Sequence, residues 1–315
     1  MGYTLCVLGC GTMGVAILSG VIASLDSSSA NGVQNPAAKW ESHTPGTVTP
    51  AVQQWDESQP SRFIACVSRE ERAKRLRGTF FSMGGLGPSV DVRVAQNVSA
   101  VQEAQVVLLC CKPQLAHVIL SEPGMKEALS GKLLVSILAG VRVEQLTAMV
   151  SADTRVVRAM PNTPCQIREG MTVVNSIPDS PTMDLDRKII LNVFSAIGRC
   201  RFLEEKHFDA CTALSGSGPA FACIFLEAMA DGGVMMGLPR AEALELAAQT
   251  LQGAARMTLQ TGIHPAQLKD AVTTPGGCTI AGLLAMEDGR VRSTIARAIQ
   301  IATERACELG APVKN

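Results

Sequence analysis

Residues 4–8, Thr-Leu-Cys-Val-Leu, form a short apolar run that passes directly into Gly9-Cys-Gly-Thr-Met-Gly14, after which apolar residues recur at helical spacing over residues 15–25. Strand, glycine turn and helix in that order give the G-x-G-x-x-G pattern the context that marks a nucleotide-binding unit. In such a unit Gly9 makes the tight turn, Gly11 lets backbone approach a pyrophosphate, and Gly14 lets the helix pack closely on the strand. The competing use of the same glycines is packing alone.

The strand pattern repeats. Runs of β type cover residues 63–67, 92–95, 106–111, 133–138, 155–159, 171–175 and 200–203, with a helix around residues 185–194. Repeated strand-turn-helix units predict a parallel sheet with right-handed crossovers. Residues 1–205 are therefore expected to form an α/β, Rossmann-type dinucleotide-binding domain with a mostly parallel sheet. Ligands of such sheets lie along the carboxyl ends of the strands. The fourth run closes there on Lys112-Pro113 and the fifth on Ala139-Gly140, and Lys112 faces either cofactor phosphate or solvent. The second run ends on Ser68-Arg69, where an NAD enzyme carries Asp or Glu. A hydroxyl and a guanidinium suit a 2′-phosphate, which favours NADP. The same Ser68-Arg-Glu-Glu71 also reads as a capping box for the next helix.

Residues 26–61 are rich in Ser, Thr, Pro, Gln and Asn, hold Trp40 and Trp55, and lack periodicity. They read as a flexible surface insertion, with a lid over the cofactor as the alternative. Over the whole chain 28 Lys and Arg balance 28 Asp and Glu, and aromatics make up 3%. With no basic stripe, the electrostatic footprint of a nucleic-acid binder is missing. No uninterrupted apolar run approaches the roughly 18 residues of a membrane span. The first strand starts by Thr4, which leaves no room for a targeting leader, so a cytoplasmic protein is expected. The chain has 11 cysteines, most inside apolar runs (Cys6, Cys10, Cys66, Cys110, Cys111, Cys200, Cys223) and without Cys-x-x-Cys or His at ligand spacing. They read as buried, reduced thiols, with neither disulfides nor a metal site.

From His207 the strand pattern stops. Residues 221–236, 240–259, 265–271, 280–286 and 291–309 carry apolar positions at i, i+3 and i+4 with breakers between them, so residues 206–315 are expected to be all-helical. Broad apolar faces and many small residues point to dimerisation through this half. Two stretches stand apart as glycine loops with hydroxyls at helix starts: Leu214-Ser-Gly-Ser-Gly-Pro219 and residues 273–279. In the second, Pro275 bars helix at Thr274, Gly276 and Gly277 allow left-handed backbone, and periodicity resumes after Thr279. A bare helix N-terminus there offers N–H groups and partial positive charge to an anion; the alternative is an ordinary start capped by Thr279. Two such termini beside a nicotinamide fold suggest a carboxylate substrate.

No catalytic carboxylate pair, Ser-His-Asp set or metal cluster stands out, and His43, His117, His207 and His264 read as structural or surface residues. Oxidising an alcohol calls for a base to take the hydroxyl proton. A protonated imine takes hydride directly and needs mainly positioning. The missing base points towards C=N reduction.

Asp270-Ala-Val-Thr-Thr-Pro-Gly-Gly-Cys-Thr-Ile-Ala-Gly-Leu283, with residues 214–219, Ala230-Asp-Gly-Gly-Val234, Met236-Gly-Leu-Pro239 and Met160-Pro-Asn-Thr-Pro164, resembles the pyrroline-5-carboxylate reductases over nearly the whole chain except residues 26–61. The resemblance implies reduction of 1-pyrroline-5-carboxylate to L-proline, the last step of proline biosynthesis, with NADPH as cofactor and NADH also admissible. It implies that Leu8, Gly9, Cys10, Gly11, Thr12 and Met13 bind the pyrophosphate with Gly14 behind them, Ser68 and Arg69 the adenosine phosphate, and Asn97 the adenine ribose. Cys111, Lys112, Pro113, Leu138, Ala139 and Gly140 would line the path to the nicotinamide. Val272, Thr274, Gly276, Gly277, Cys278 and Thr279 would surround the substrate, with backbone N–H groups of residues 276–279 on its carboxylate. The Thr279 hydroxyl would meet the ring nitrogen as the catalytic contact, and Glu205 would lie near the proline site. The helical domains would intertwine into homodimers, often assembled into decamers, with no nucleic-acid or membrane partner.

Two departures from that pattern are the long insertion and Ala271, which replaces an Asn that in some members reaches the cofactor. Two rivals share part of the architecture. A β-hydroxyacid dehydrogenase would need a catalytic Lys on the helix after the sheet, and none occurs between Pro219 and Leu268. A non-enzymatic NADP sensor would need no substrate loop.

Overall fold

The computed structural model describes residues 2–30, 57–177 and 179–310. Its first part is built on strands β1 (Tyr3–Leu8), β2 (Pro60–Val67), β3 (Asp91–Val94), β4 (Val106–Leu109), β5 (Leu133–Ser136), β6 (Arg155–Met160), β7 (Gly170–Asn175) and β8 (Gly198–Leu203). Among the described residues they form one eight-stranded sheet in the order β3-β2-β1-β4-β5-β6-β7-β8. The pairs from β3 across to β6 are all parallel, β7 runs antiparallel to β6, and β8 is parallel to β7. The sheet is therefore mostly parallel, as its sequence pattern predicts.

Strand β1 lies between β2 and β4 with helices on both faces, which is why Leu5, Cys6, Val7 and Leu8 are apolar in succession and fully buried. One face packs against α1 (Thr12–Ala30), α2 (Glu70–Met83) and α7 (Met183–Ser195) through Ile17, Leu18, Phe80 and Phe194. The other packs against α3 (Asn97–Glu103), α4 (Ala116–Leu120), α5 (Met125–Ala128) and α6 (Val143–Thr147) through Val101, Leu120, Met125 and Leu146.

Past the sheet the chain is helical: α8 (Phe208–Cys211), a π-helical turn (Thr212–Gly216), α9 (Gly218–Met235), α10 (Arg240–Thr261), α11 (Pro265–Ala271), α12 (Cys278–Asp288) and α13 (Val291–Gly310). Ala230 of α9 packs against Ala243 and Ala247 of α10, the close approach that small residues allow. Helix α13 returns to pack on α8 and the π turn. Large apolar side chains stay open: Met235 and Met236 are about four-fifths exposed, and Leu214 and Ile224 about two-thirds.

The structure corrects several expectations. The insertion does not begin at Asp26, because α1 continues to Ala30; the Asp26 carboxylate accepts a hydrogen bond from the Leu86 backbone N–H at 3.2 Å, which fastens this end of the helix. It does not reach residue 61 either, since β2 starts at Pro60. The flexible loop or lid read for this stretch falls, over residues 31–56 with Trp40 and Trp55 included, outside the described residues. Residues 214–219 are not a glycine loop. The Ser217 N–H donates to the Thr212 carbonyl at 2.9 Å and the Ala220 N–H to the Ser217 carbonyl at 3.0 Å, so amides meant for an anion are spent inside a helix. Pro219 fits because the second position of α9 has no intrahelical use for an N–H. Cys223, expected to be buried, is exposed along with Cys278 and Cys307 because these helices leave one side open.

Candidate active site

The glycine turn leaves the sheet at the carboxyl end of β1. Gly9 has φ +72°, and a Cβ there would stand 2.7 Å from the Cα and Cβ of Cys111, so both conformation and space demand glycine. A Cβ on Gly14 would meet Val7 Cγ1 at 2.9 Å, which is the close helix-strand contact expected of it. Gly11 differs: among the described residues nothing comes closer than 3.8 Å to its missing Cβ, which leaves that side of its backbone approachable. Three glycines thus turn, admit and pack, the division of labour a dinucleotide site requires.

Neighbouring strands bring the other predicted cofactor residues to this edge. The Cys10 N–H donates to the Cys66 carbonyl at 2.9 Å, and the Cys110 N–H to the Leu8 carbonyl at 2.8 Å. The ends of β2 and β4 are thereby stitched to the turn. Ser68 and Arg69 follow β2 and are exposed; Arg69 is the N-cap of α2 and neither side chain caps it. The capping box does not form, so the Ser68 hydroxyl is not spent on the helix. Lys112 is exposed and Cys111 half-buried after β4, which ends at Leu109 and not at residue 111. Leu138 is buried, and Gly140 takes φ +74° after β5. Met13 Sδ lies 3.4 Å from Cys165 Sγ, and the Asn97 amide donates to Glu122 at 2.6 Å, which leaves its carbonyl oxygen available for a ribose. Burial pushes the Cys10 thiol up to about 12 and the Cys111 thiol to about 11, so both stay protonated at neutral pH and do not compete as anions with a phosphate.

The second feature is the start of α12. The Gly277 N–H donates to the Thr274 carbonyl at 3.1 Å, closing a turn with Pro275 and Gly276 at its corners, and Gly276 takes φ +68°. Pro followed by left-handed Gly is the composition of a type II turn. A Cβ on Gly277 would come within 2.4 Å of the Thr274 hydroxyl oxygen, so a larger residue here would have to turn that side chain. Gly277, not Thr279, is the N-cap, and no side chain caps the helix. The first N–H groups of α12, from Cys278 and Thr279 onward, are left with the free donors of a bare N-terminus. The Gly277 N–H, however, is consumed by the turn and cannot serve the carboxylate. Val272 and Cys278 are exposed and Thr279 half-exposed. Among the described residues, no hydrogen bond or ion pair joins residues 272–279 to the glycine turn of the same chain.

Glu205 lies between the two parts. Its Oε1 accepts from the Val143 N–H at 3.1 Å and stands 3.7 Å from Arg158 Nη1, and Arg158 lies over the Phe208 ring at 4.8 Å. Burial lowers the proton affinity of the Arg158 guanidinium, and Glu205 opposes that fall. Sequence reasoning named Glu205 but missed Arg158, Asn162 and Arg72. Asn162 ties the parts together by donating to the Ser215 carbonyl of the π turn at 3.0 Å while accepting from the Met171 N–H at 2.8 Å. The Met160-Pro-Asn-Thr-Pro164 motif marked that place without revealing its partner. His264, read as a structural or surface residue, accepts from the Ala266 N–H at 3.2 Å and caps α11.

Comparison with known proteins agrees with this geometry. Residues 205–309 match the family described as pyrroline-5-carboxylate reductase dimerisation, and residues 46–140 match that described as NADP oxidoreductase, coenzyme F420-dependent. The chain is 46% identical to the pyrroline-5-carboxylate reductase of Lophium arboricola, covering 99% of this chain and 95% of that one. It is 45% identical to the Schizosaccharomyces pombe enzyme, covering 97% and 98%. The Plasmodium falciparum pyrroline carboxylate reductase, solved with NADP bound, superposes with a TM-score of 0.72 at 26% identity, covering 98% of each chain. With an open glycine turn at one end, a bare helix start at the other and near-full-length identity to these enzymes, this chain belongs to the pyrroline-5-carboxylate reductase family.

Proposed function

We propose that this protein reduces 1-pyrroline-5-carboxylate to L-proline with NADPH, NADH serving less well, as the last step of proline biosynthesis. The observation that carries the reading is the uncapped N-terminus of α12 behind a turn that only glycine can make, in a chain whose other half presents an approachable Gly11. The nucleotide half, residues 1–205, would hold the pyrophosphate on residues 8–13 and the adenosine phosphate on Ser68 and Arg69. The helical half, residues 206–315, would hold substrate and dimerise. When bound, reduced nicotinamide supplies a hydride.

The chain's own groups position and polarise. N–H groups at the start of α12 take the substrate carboxylate, and the helix dipole favours that charge. The Thr279 hydroxyl, one residue inside the helix, would hold the ring nitrogen. No side-chain base is needed, because a protonated imine already carries the charge that hydride transfer neutralises.

The helical run Glu205–Met235 is long and apolar enough to cross a membrane by composition alone. Its match to a dimerisation family and its exposed Leu214, Ile224 and Met235 support a homodimer face instead, with larger assemblies such as decamers built on it, in a cytoplasmic enzyme without nucleic-acid or membrane partners. The purified protein, given pyrroline-5-carboxylate and NADPH, should lose reduced-nicotinamide absorbance in step with proline formation. Cofactor binding without turnover would leave only the sensor reading.

A further inference from the structure

The rim of the glycine turn carries a cation that neither the strand pattern nor the family motifs single out. Arg72 lies in the first turn of α2, three residues after the N-cap Arg69. Its Nη2 stands 3.8 Å from the point where a side chain on Gly11 would begin, and among the described residues the only other atom that near is the Gly9 carbonyl oxygen. The open side of Gly11 therefore has the Arg72 guanidinium at its lip. That charge acts on the turn, since Arg72 opposes the burial that drives the Cys10 thiol upward. Packing does not explain the residue, because Arg72 is exposed. Nor does pairing: among the described residues no carboxylate bridges to it, and Glu70 of the same turn is taken by Arg77 at 2.6 Å.

Two phosphate groups would lie on this edge, a 2′-phosphate at Ser68 and Arg69 and a pyrophosphate at Gly11. We propose that Arg72 is a cofactor-binding residue directed at the pyrophosphate, which NADP and NAD share, so that Arg72 sets how tightly either cofactor is held while Arg69 sets which is preferred. This rests on the nucleotide-binding reading above.

Titration calorimetry of the intact protein with NADP+ and with NAD+, at low and high salt, tests it on the unaltered chain, Arg72→Ala, Arg72→Lys and Arg69→Ala. Arg72→Ala should raise both dissociation constants by the same factor, about five- to tenfold at low ionic strength and less in high salt. Arg72→Lys should restore most of the affinity, and Arg69→Ala should weaken NADP+ alone. Unchanged binding in Arg72→Ala overturns the proposal. A loss confined to NADP+ overturns it too, by moving Arg72 to the 2′-phosphate. Failure of the unaltered chain to bind either nucleotide would instead defeat the nucleotide reading, and this assignment with it.

Discussion

Glu205 and Arg158 form an unequal pair: the carboxylate side chain is 38% exposed, the guanidinium 4%, and their nearest atoms lie 3.7 Å apart. The buried partner has more to lose. Glu205→Ala would leave Arg158 facing the Phe208 ring and would also orphan the Val143 N–H. A loss of about 2 kcal/mol is expected, the scale of a broken, partly buried charged contact. Urea unfolding checks it, with Glu205→Gln expected to lose less because it still accepts from Val143. Equal midpoints for all three proteins would mean that the pair contributes nothing.

Thr279→Ala removes a hydroxyl from the first turn of α12 without touching its backbone donors. Steady-state kinetics should give kcat/KM lower by roughly tenfold, the worth of one polar contact at about 1 to 2 kcal/mol. An unaltered kcat/KM would take Thr279 out of the mechanism.

Gly9→Ala meets two obstacles at once, a positive φ and a Cβ placed 2.7 Å from Cys111. Strain of this kind costs about 1 to 3 kcal/mol. The expected result is a lower melting temperature and weaker NADP+ binding, read by calorimetry. A variant that binds normally would show that the turn relaxes without moving the site.

The acid side of the stability curve has a local contributor. Arg93, with help from Arg62, holds the Glu103 carboxyl down from 4.5 to about 2. A group whose folded value is depressed stabilises fully above its unfolded value and loses that contribution as pH falls through the folded one. The melting-temperature difference between the unaltered chain and Glu103→Gln should therefore be largest above about pH 5 and close towards about pH 2. A difference that stays constant over that range would assign the effect to packing.

Much of this architecture was legible because it follows from short-range constraints. The runs at residues 5–8 and 133–135 are apolar on both faces, which only a sheet covered on both sides explains. The turn at Thr274 could be read from Pro275 and Gly276 alone, since their backbone preferences leave few other shapes. The failures came where distant contacts decide. Residues 214–219 look like a loop by composition, yet α13 packs on the π turn and Asn162 reaches its Ser215 carbonyl, and together these hold the segment helical. Arg72 left no mark in the pattern because only folding brings it to Gly11.

The second half of the chain wears on its outside what other proteins keep within: Met235, Met236, Ile224 and Leu214 all face outward from a single copy. Water is a poor long-term neighbour for such a surface. In the proposed homodimer dilution would act as a mild denaturant, because separating copies would rewet these residues, and the chain's resistance to unfolding should climb with its own concentration.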